Sequence, residues 1–335
     1  MTDKPLRQIV SKPSPAELDN WIPYKIERRE EWLCRWLSVA GQSFCEPFFT
    51  ETISKCQAQL PNGSRYASLS SLESLLAAAA QPFAALAPAA FIFHVSRCGS
   101  TLLAQLLGLS RQNVVLSEVP LLDQILRLSV SDSGIAPASV EALMSASLRL
   151  LARQRNVDEA RLFVKLDSWH VAFAPLIRKL YPATPFVLLY RAPDEVMRSH
   201  RKRRGMQAVP GLIEPQLFDL SAGDFDAGDA DGYLDKVLAY YLSRFMGIAA
   251  QDRRALLVDY RLGSMEMVRQ VAAHAQFAIS DADLASMEAR SRFHSKYPDQ
   301  NFSETPEASA ASAVTGQAQA AYLQLEQMRS RQQTT

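Results

Sequence analysis

The chain is short of cysteine, of net charge and of internal repetition, and each shortage excludes a class of protein. Four cysteines in 335 residues (Cys34, Cys45, Cys56 and Cys98) are too few and too scattered for a disulfide scaffold. None stands in the close pairs that hold zinc, so no metal site is expected. A reducing, cytoplasmic setting fits this usage. Lys plus Arg number 36 against 35 Asp plus Glu. That balance argues against a broad polyanion-binding surface and hence against nucleic acid as a partner, while leaving room for a local basic pocket. The first thirty residues are polar and contain prolines, without the apolar core of a signal peptide. One apolar run, residues 75–93, has about the length of a membrane span. Gln81, Pro82 and Pro88 interrupt it, so it is read as a buried helix, a turn and a strand, with no membrane span.

What is abundant is core-forming material, at 48% hydrophobic residues. Residues 14–85 read as helical: Ser14 caps a helix at Pro15, and Trp32, Trp36 and Leu37 fall on one face of another. Residues 59–71, with Pro61, Gly63 and several serines, read as a loop. The aromatic cluster Trp32, Trp36, Phe44, Phe48 and Phe49 reads as core. A helical N-terminal extension over residues 1–88 is therefore expected, followed by an α/β domain over 89–335.

In that second part, short apolar runs alternate with amphipathic stretches. Residues 89–95, 113–116, 162–166, 186–190 and 255–258 read as buried strands of a parallel sheet with flanking helices. In such sheets ligands bind beyond the carboxyl ends of the strands. A terminal helix is expected over 318–331, after an Ala-, Ser- and Gln-rich tail.

The first of these runs, Phe91–Val95, leads into Ser96-Arg-Cys-Gly-Ser-Thr101 and then an amphipathic helix. Backbone N–H groups at a helix start favour an anion. Gly99 lets the main chain approach a phosphate, Ser100 and Thr101 add hydroxyls, and Arg97 adds a forked cation. The nucleotide triphosphatase loop needs Gly-x-x-x-x-Gly-Lys-Ser/Thr. Here His94 replaces the first glycine and Ser100 the lysine. A second element lies farther on: Arg191 just past the fourth strand, with Ser199 eight residues later on a helix. A guanidinium and a hydroxyl so placed can converge on one dianion, the alternative being a helix started by Pro193 and Asp194 with Arg191 in a surface ion pair.

Arg97-Cys98-Gly99-Ser100-Thr101, followed in order by Arg191 and Ser199, resembles the donor-binding elements of the sulfotransferases with a phosphate-binding-loop fold. That resemblance covers about residues 89–300. It implies 3′-phosphoadenosine 5′-phosphosulfate as co-substrate, with no metal required. The loop residues would hold the 5′-phosphosulfate, and Arg191 and Ser199 the 3′-phosphate. Glu118, at the end of the second strand, resembles the catalytic base of members that use a glutamate, its alternative role being a helix cap. Lys165 ends the third strand in Lys-Leu-Asp and resembles the lysine that steadies the sulfuryl group, although Asp167 stands where those members carry proline. A strand-end lysine must pair with Asp167 or Glu118 or meet an anionic ligand, because burying a lone ammonium is costly. Tyr260 resembles the family's strand-end tyrosine near the nucleotide, and Lys296 a basic contact to the 3′-phosphate. The run 200–204 reads as a solvated helix face. The acceptor is a hydroxyl on a small molecule, carbohydrate, lipid or peptide, with residues 123–160 and 206–232 as the expected pocket walls.

Two rivals follow from the same residues. A small-molecule kinase would need a loop lysine and Mg²⁺ held by Ser/Thr and Asp, and the loop lysine is missing. A non-catalytic nucleotide-binding or scaffold protein would keep the fold without the reaction.

Overall fold

The computed structural model describes residues 6–8, 18–59, 67–132, 134–293 and 316–333. Along the chain its elements are β1 (Leu6–Gln8), β2 (Trp21–Arg28), β3 (Trp32–Ser38), α1 (Phe49–Gln57), β4 (Ala67–Ser71), α2 (Leu72–Ala80), β5 (Pro88–His94) and α3 (Ser100–Leu107). There follow β6 (Asn113–Ser117), α4 (Pro120–Ser131), α5 (Pro137–Leu151), β7 (Arg161–Lys165), α6 (Ala174–Leu180), β8 (Phe186–Tyr190) and α7 (Pro193–Lys202). The last are α8 (Ala230–Gln251), β9 (Ala255–Asp259), α9 (Ser264–His274), α10 (Asp281–Ser291) and α11 (Gln317–Gln333). Five strands form a parallel sheet in the order β6-β7-β5-β8-β9, with helices in the connections, so the fold is α/β.

All five expected core strands are present, and β5, β6 and β8 are almost wholly buried. Their residues are mostly branched or aromatic and lack the polar alternation of a half-exposed strand. The apolar run 75–93 resolves into helix α2, a turn and strand β5. Among the described residues no helix is long and apolar enough to cross a membrane.

The chain divides into two compact units, Met1–Ala89 with Leu107–Lys165, and Ala90–Leu106 with Leu166–Thr335. The first holds the largest departure from the sequence reading. The described residues of 14–85 are not mainly helical: β2, β3 and β4 lie there and, with β1, form a four-stranded sheet in the order β1-β4-β3-β2. Trp32, Trp36 and Leu37 lie on β3, not on a helix. A spacing of four residues fits one face of a helix and equally one face of a strand, and here Cys34 and Trp36 share the buried side. The aromatic residues favour the pleated surface.

Cross-strand chemistry then fixes the register of this sheet. Arg35 forks onto Glu27 at 2.5 and 3.1 Å, and the Trp36 indole donates to Ser70 Oγ at 2.9 Å. Pro23 is tolerated because β2 is an edge strand with an irregularity between Pro23 and Lys25. Residues 67–71, expected as loop, are β4. Trp36, Phe44 and Phe49 are core, whereas Trp32 and Phe48 are half-buried. The expected cap at Ser14 lies outside the described residues. Within the same unit β6 and β7 pair in parallel from Asn113↔Arg161 to Ser117↔Lys165. Residues 123–151 are largely the helices α4 and α5.

In the second unit β8 pairs in parallel with β5 and with β9. Helix α8 packs on β9, and α11 packs on α8 and α7. The expected terminal helix is α11, whose buried residues Ala318, Ala321, Tyr322 and Leu325 repeat at helical spacing.

Candidate functional site

The loop between β5 and α3 reverses the chain through three residues in the left-handed region: Ser96 at φ 68°, Arg97 at 50° and Gly99 at 79°. Two of them carry side chains, a conformation that costs on the order of 1–3 kcal/mol each and persists only when the surroundings enforce it. His94 supplies part of that enforcement. Its Nδ1 accepts the Ser96 N–H at 3.0 Å, so Nε2 bears the proton and donates to the Leu166 carbonyl at 2.9 Å. The Cys98 thiol, fully buried, donates to the Leu189 carbonyl at 3.5 Å. The first intrahelical bond of α3 runs from Leu103 N–H to Gly99 O at 3.0 Å. The amides of the turn before it have no intrahelical acceptor and point along the helix axis, which suits an anion. Ser100 is buried and Thr101 half-buried at this turn.

Gly99 is required twice over. Beyond its positive φ, a Cβ there would stand 2.8 Å from two ring carbons of Tyr260. Tyr260 opens a short 3₁₀ turn directly after β9, which brings its ring against the loop. The Arg191 guanidinium lies over the other part of this assembly, 4.1 Å from the Tyr260 ring centroid. It also donates from Nη1 to the Arg97 carbonyl at 3.3 Å and from Nε to Glu195 at 2.6 Å. Arg191, Glu195 and Ser199 are spaced at four residues, so Glu195 and Ser199 share one face of α7. The Arg97 guanidinium reaches the Arg203 carbonyl at 2.5 Å. The fold thus gathers Arg97, Gly99, Arg191 and Tyr260 into one contact network, with Ser100, Thr101 and Ser199 on the adjoining helices.

In the first unit, Glu118 and Lys165 form an ion pair. Lys165 ends β7 with a side chain fully shielded from solvent, while that of Glu118 is 21% exposed. Glu118 N–H donates to the Lys165 carbonyl at 2.8 Å, and the ammonium lies 5.4 Å from the Phe48 ring centroid. Glu118 itself takes φ 53°, a left-handed bend between β6 and α4. The N-cap position of α4 is Val119, without a side-chain cap bond. Of the two carboxylates that the sequence offers Lys165, Glu118 is the one it meets.

The run 200–204 is mostly a paired surface, with Arg201 and Arg204 both on Asp231 at 2.7 and 2.5 Å. His200 departs from that reading, being fully buried. Lys296 lies outside the described residues. Sequence reasoning missed His94 as a loop brace; the ion pair it offered as the alternative for Arg191 is formed, with Glu195 as the partner it did not name. The signal for His94 was present, since a histidine stands where the nucleotide triphosphatase loop has glycine. Glu195 is four residues from Arg191, the spacing of a helical ion pair.

No family model matches the chain, and no curated protein does. Among solved structures it is similar to a sulfotransferase from Mycobacterium avium, at 12% identity and a TM-score of 0.42, over 62% of this chain and 68% of that one. A sulfotransferase from Mycobacterium tuberculosis H37Rv matches at 16% identity and 0.40, over 61% and 71%. The sulfotransferase domain of the curacin biosynthetic pathway matches at 17% and 0.40, over 61% and 78%. At these values the likeness concerns the arrangement of strands and helices, and any functional reading must rest on the residues themselves.

Proposed function

We propose that the protein is a sulfotransferase that moves a sulfuryl group from 3′-phosphoadenosine 5′-phosphosulfate to an acceptor hydroxyl. The observation that carries this reading is the Arg97–Gly99–Arg191–Tyr260 network. In it the Arg191 guanidinium and the Tyr260 ring lie against a helix-start loop that lacks the lysine of a phosphoryl-transfer site. The donor is an anionic nucleotide with phosphates at both ends of its ribose, which matches a loop of N–H donors and a separate arginine. The loop amides, Arg97, Ser100 and Thr101 would hold the 5′-phosphosulfate. Arg191 and Ser199 would hold the 3′-phosphate, with Lys296 as a further contact, and Tyr260 would support the nucleotide.

In this reading the acceptor oxygen forms a bond to sulfur as the sulfur–phosphate oxygen bond breaks. Adenosine 3′,5′-bisphosphate leaves with the electron pair, and its new charge is met by the loop donors and Arg97. Glu118 takes the acceptor proton. No metal is needed in this scheme. Bisphosphate release from the donor tests the scheme, with slow hydrolysis by water standing in where no acceptor is supplied. Glu118→Gln is expected to lower turnover by roughly 10²–10⁴ while donor affinity is retained. Full turnover in that variant would remove Glu118 from the mechanism.

A further inference from the structure

The two candidate nucleotide residues Arg191 and Tyr260 each sit next to a residue tied to the C-terminal helix. Tyr190, the residue before Arg191, is fully buried and its hydroxyl donates to Glu326 on α11. Arg261, the residue after Tyr260, donates to the other oxygen of the same carboxylate. Arg261 also forks onto Asp259, the residue before Tyr260, through Nε at 2.7 Å and through its backbone N–H at 2.9 Å. Arg329, one turn on from Glu326, closes the cluster at 3.1 and 3.2 Å. Two carboxylates and two guanidinium groups thus balance at the ends of β8 and β9, with Asp259 buried. Burial alone would push Glu326 up. Hydrogen bonds from Arg329 and Tyr190 and the charges of Arg329 and Arg261 hold it below the usual carboxylate value, so it is an anion. Burial and the same contact push the Tyr190 phenol well above its ordinary value, so it remains a donor.

Helix α11 is itself firmly seated. Asp235 of α8 accepts the N–H groups of Gln317 and Ala318 at 2.8 and 3.2 Å, capping its start. Its buried stripe ends at Leu325, immediately before Glu326. One carboxylate on a docked helix therefore grips the backbone neighbours of both Arg191 and Tyr260. Those two residues in turn contact the Arg97 carbonyl and the Gly99 backbone of the loop.

We infer that Glu326 is a positioning residue: through Tyr190 and Arg261 it holds Arg191 and Tyr260 in register with the loop. It sets the discrimination for a 3′-phosphate without touching the nucleotide. This rests on the donor reading given above, so the test has one arm that uses a nucleotide and one that does not.

The nucleotide arm compares adenosine 3′,5′-bisphosphate with adenosine 5′-phosphate on the full chain, in wild type, Glu326→Gln, Glu326→Asp and Arg191→Ala. Glu326→Gln is expected to lower the preference for the bisphosphate about tenfold, the loss of one charge-assisted contact. Glu326→Asp should restore part of it, and Glu326→Gln added to Arg191→Ala should cost little further. The second arm follows amide exchange. Glu326→Gln should speed exchange at residues 96–103, 190–193 and 259–263 while the middles of β5 and β8 stay protected. A variant that melts lower, with unchanged discrimination and unchanged exchange at those segments, would overturn the role of Glu326. Failure of wild type to prefer the bisphosphate would instead overturn the donor reading, and the exchange arm would still decide whether Glu326 holds the two strand ends.

Discussion

The loop at Ser96–Thr101 and the pair Glu118–Lys165 both sit at strand ends and both bend through left-handed residues, yet they are held in opposite ways. The loop is braced by many modest bonds: His94 to Ser96, Cys98 to Leu189, Arg191 to Arg97, and the Tyr260 ring against Gly99. The pair joins a fully shielded ammonium to a partly exposed carboxylate, with a main-chain bond from Glu118 N–H to the Lys165 carbonyl beside it. A neutral hydrogen bond contributes about 0.5–1.5 kcal/mol, so loss of one brace leaves the loop in place and weakens what it binds. A buried ammonium stripped of its partner has no such reserve. Damage to the loop should therefore appear in affinity, and damage to the pair in stability.

The largest effect is expected at the pair. Glu118→Ala leaves Lys165 buried and uncompensated, and should destabilise the fold by about 3–5 kcal/mol in denaturant melts. Adding Lys165→Met should recover most of that loss without recovering turnover. A double variant as unstable as Glu118→Ala would mean that the contact is not what holds this end of β6 and β7.

Gly99→Ala comes next. It forces a side chain into the left-handed region, at about 1–2 kcal/mol, and against the Tyr260 ring. Nucleotide affinity should fall steeply, and Tyr260→Ala in the same chain should relieve the clash but not the backbone strain. Equal affinities for wild type and Gly99→Ala would contradict the close packing of loop and ring.

Arg191→Ala should weaken adenosine 3′,5′-bisphosphate by on the order of 1.5–3 kcal/mol and barely affect the analogue lacking the 3′-phosphate. Equal losses for both nucleotides would place Arg191 in the scaffold rather than at the phosphate. The smallest effect belongs to His94→Phe, which removes the acceptor for Ser96 N–H and the donor to the Leu166 carbonyl. About 1 kcal/mol of loop stability is at stake, read as a modest affinity loss with the melting temperature nearly unchanged.

How far each region could be read from the chain follows from what kind of order it has. The strands of the five-stranded sheet announce themselves because buried parallel strands are short, uniformly apolar runs closed by polar residues, as in Phe186–Tyr190. The loop is legible because its residue types are demanded locally, glycine at a positive φ and hydroxyls at a helix start. The N-terminal sheet is not, since Trp32 and Trp36 satisfy a helical and a strand period alike. What selects the strand there is pairing across strands, of Arg35 with Glu27 on the neighbouring strand and of Trp36 with the distant Ser70. Lys165 shows the same limit: residue order marks it as a buried cation in need of a partner, but only folding chooses Glu118 over Asp167. The brace by Glu326 joins residues more than sixty positions apart in the chain, and no local pattern marks it.

On the proposed reading, the loop and Arg191 together bind a nucleotide carrying both a 5′- and a 3′-phosphate, without a metal. Calorimetric titration of the full chain with adenosine 3′,5′-bisphosphate in excess chelator tests it most directly, with ATP and Mg²⁺ as the comparison. Saturable binding of the bisphosphate is predicted, with a thermal shift equivalent to about 2.7 kcal/mol at a hundred times its dissociation constant. Binding confined to ATP with Mg²⁺ would rule out that donor and favour phosphoryl transfer on the same fold.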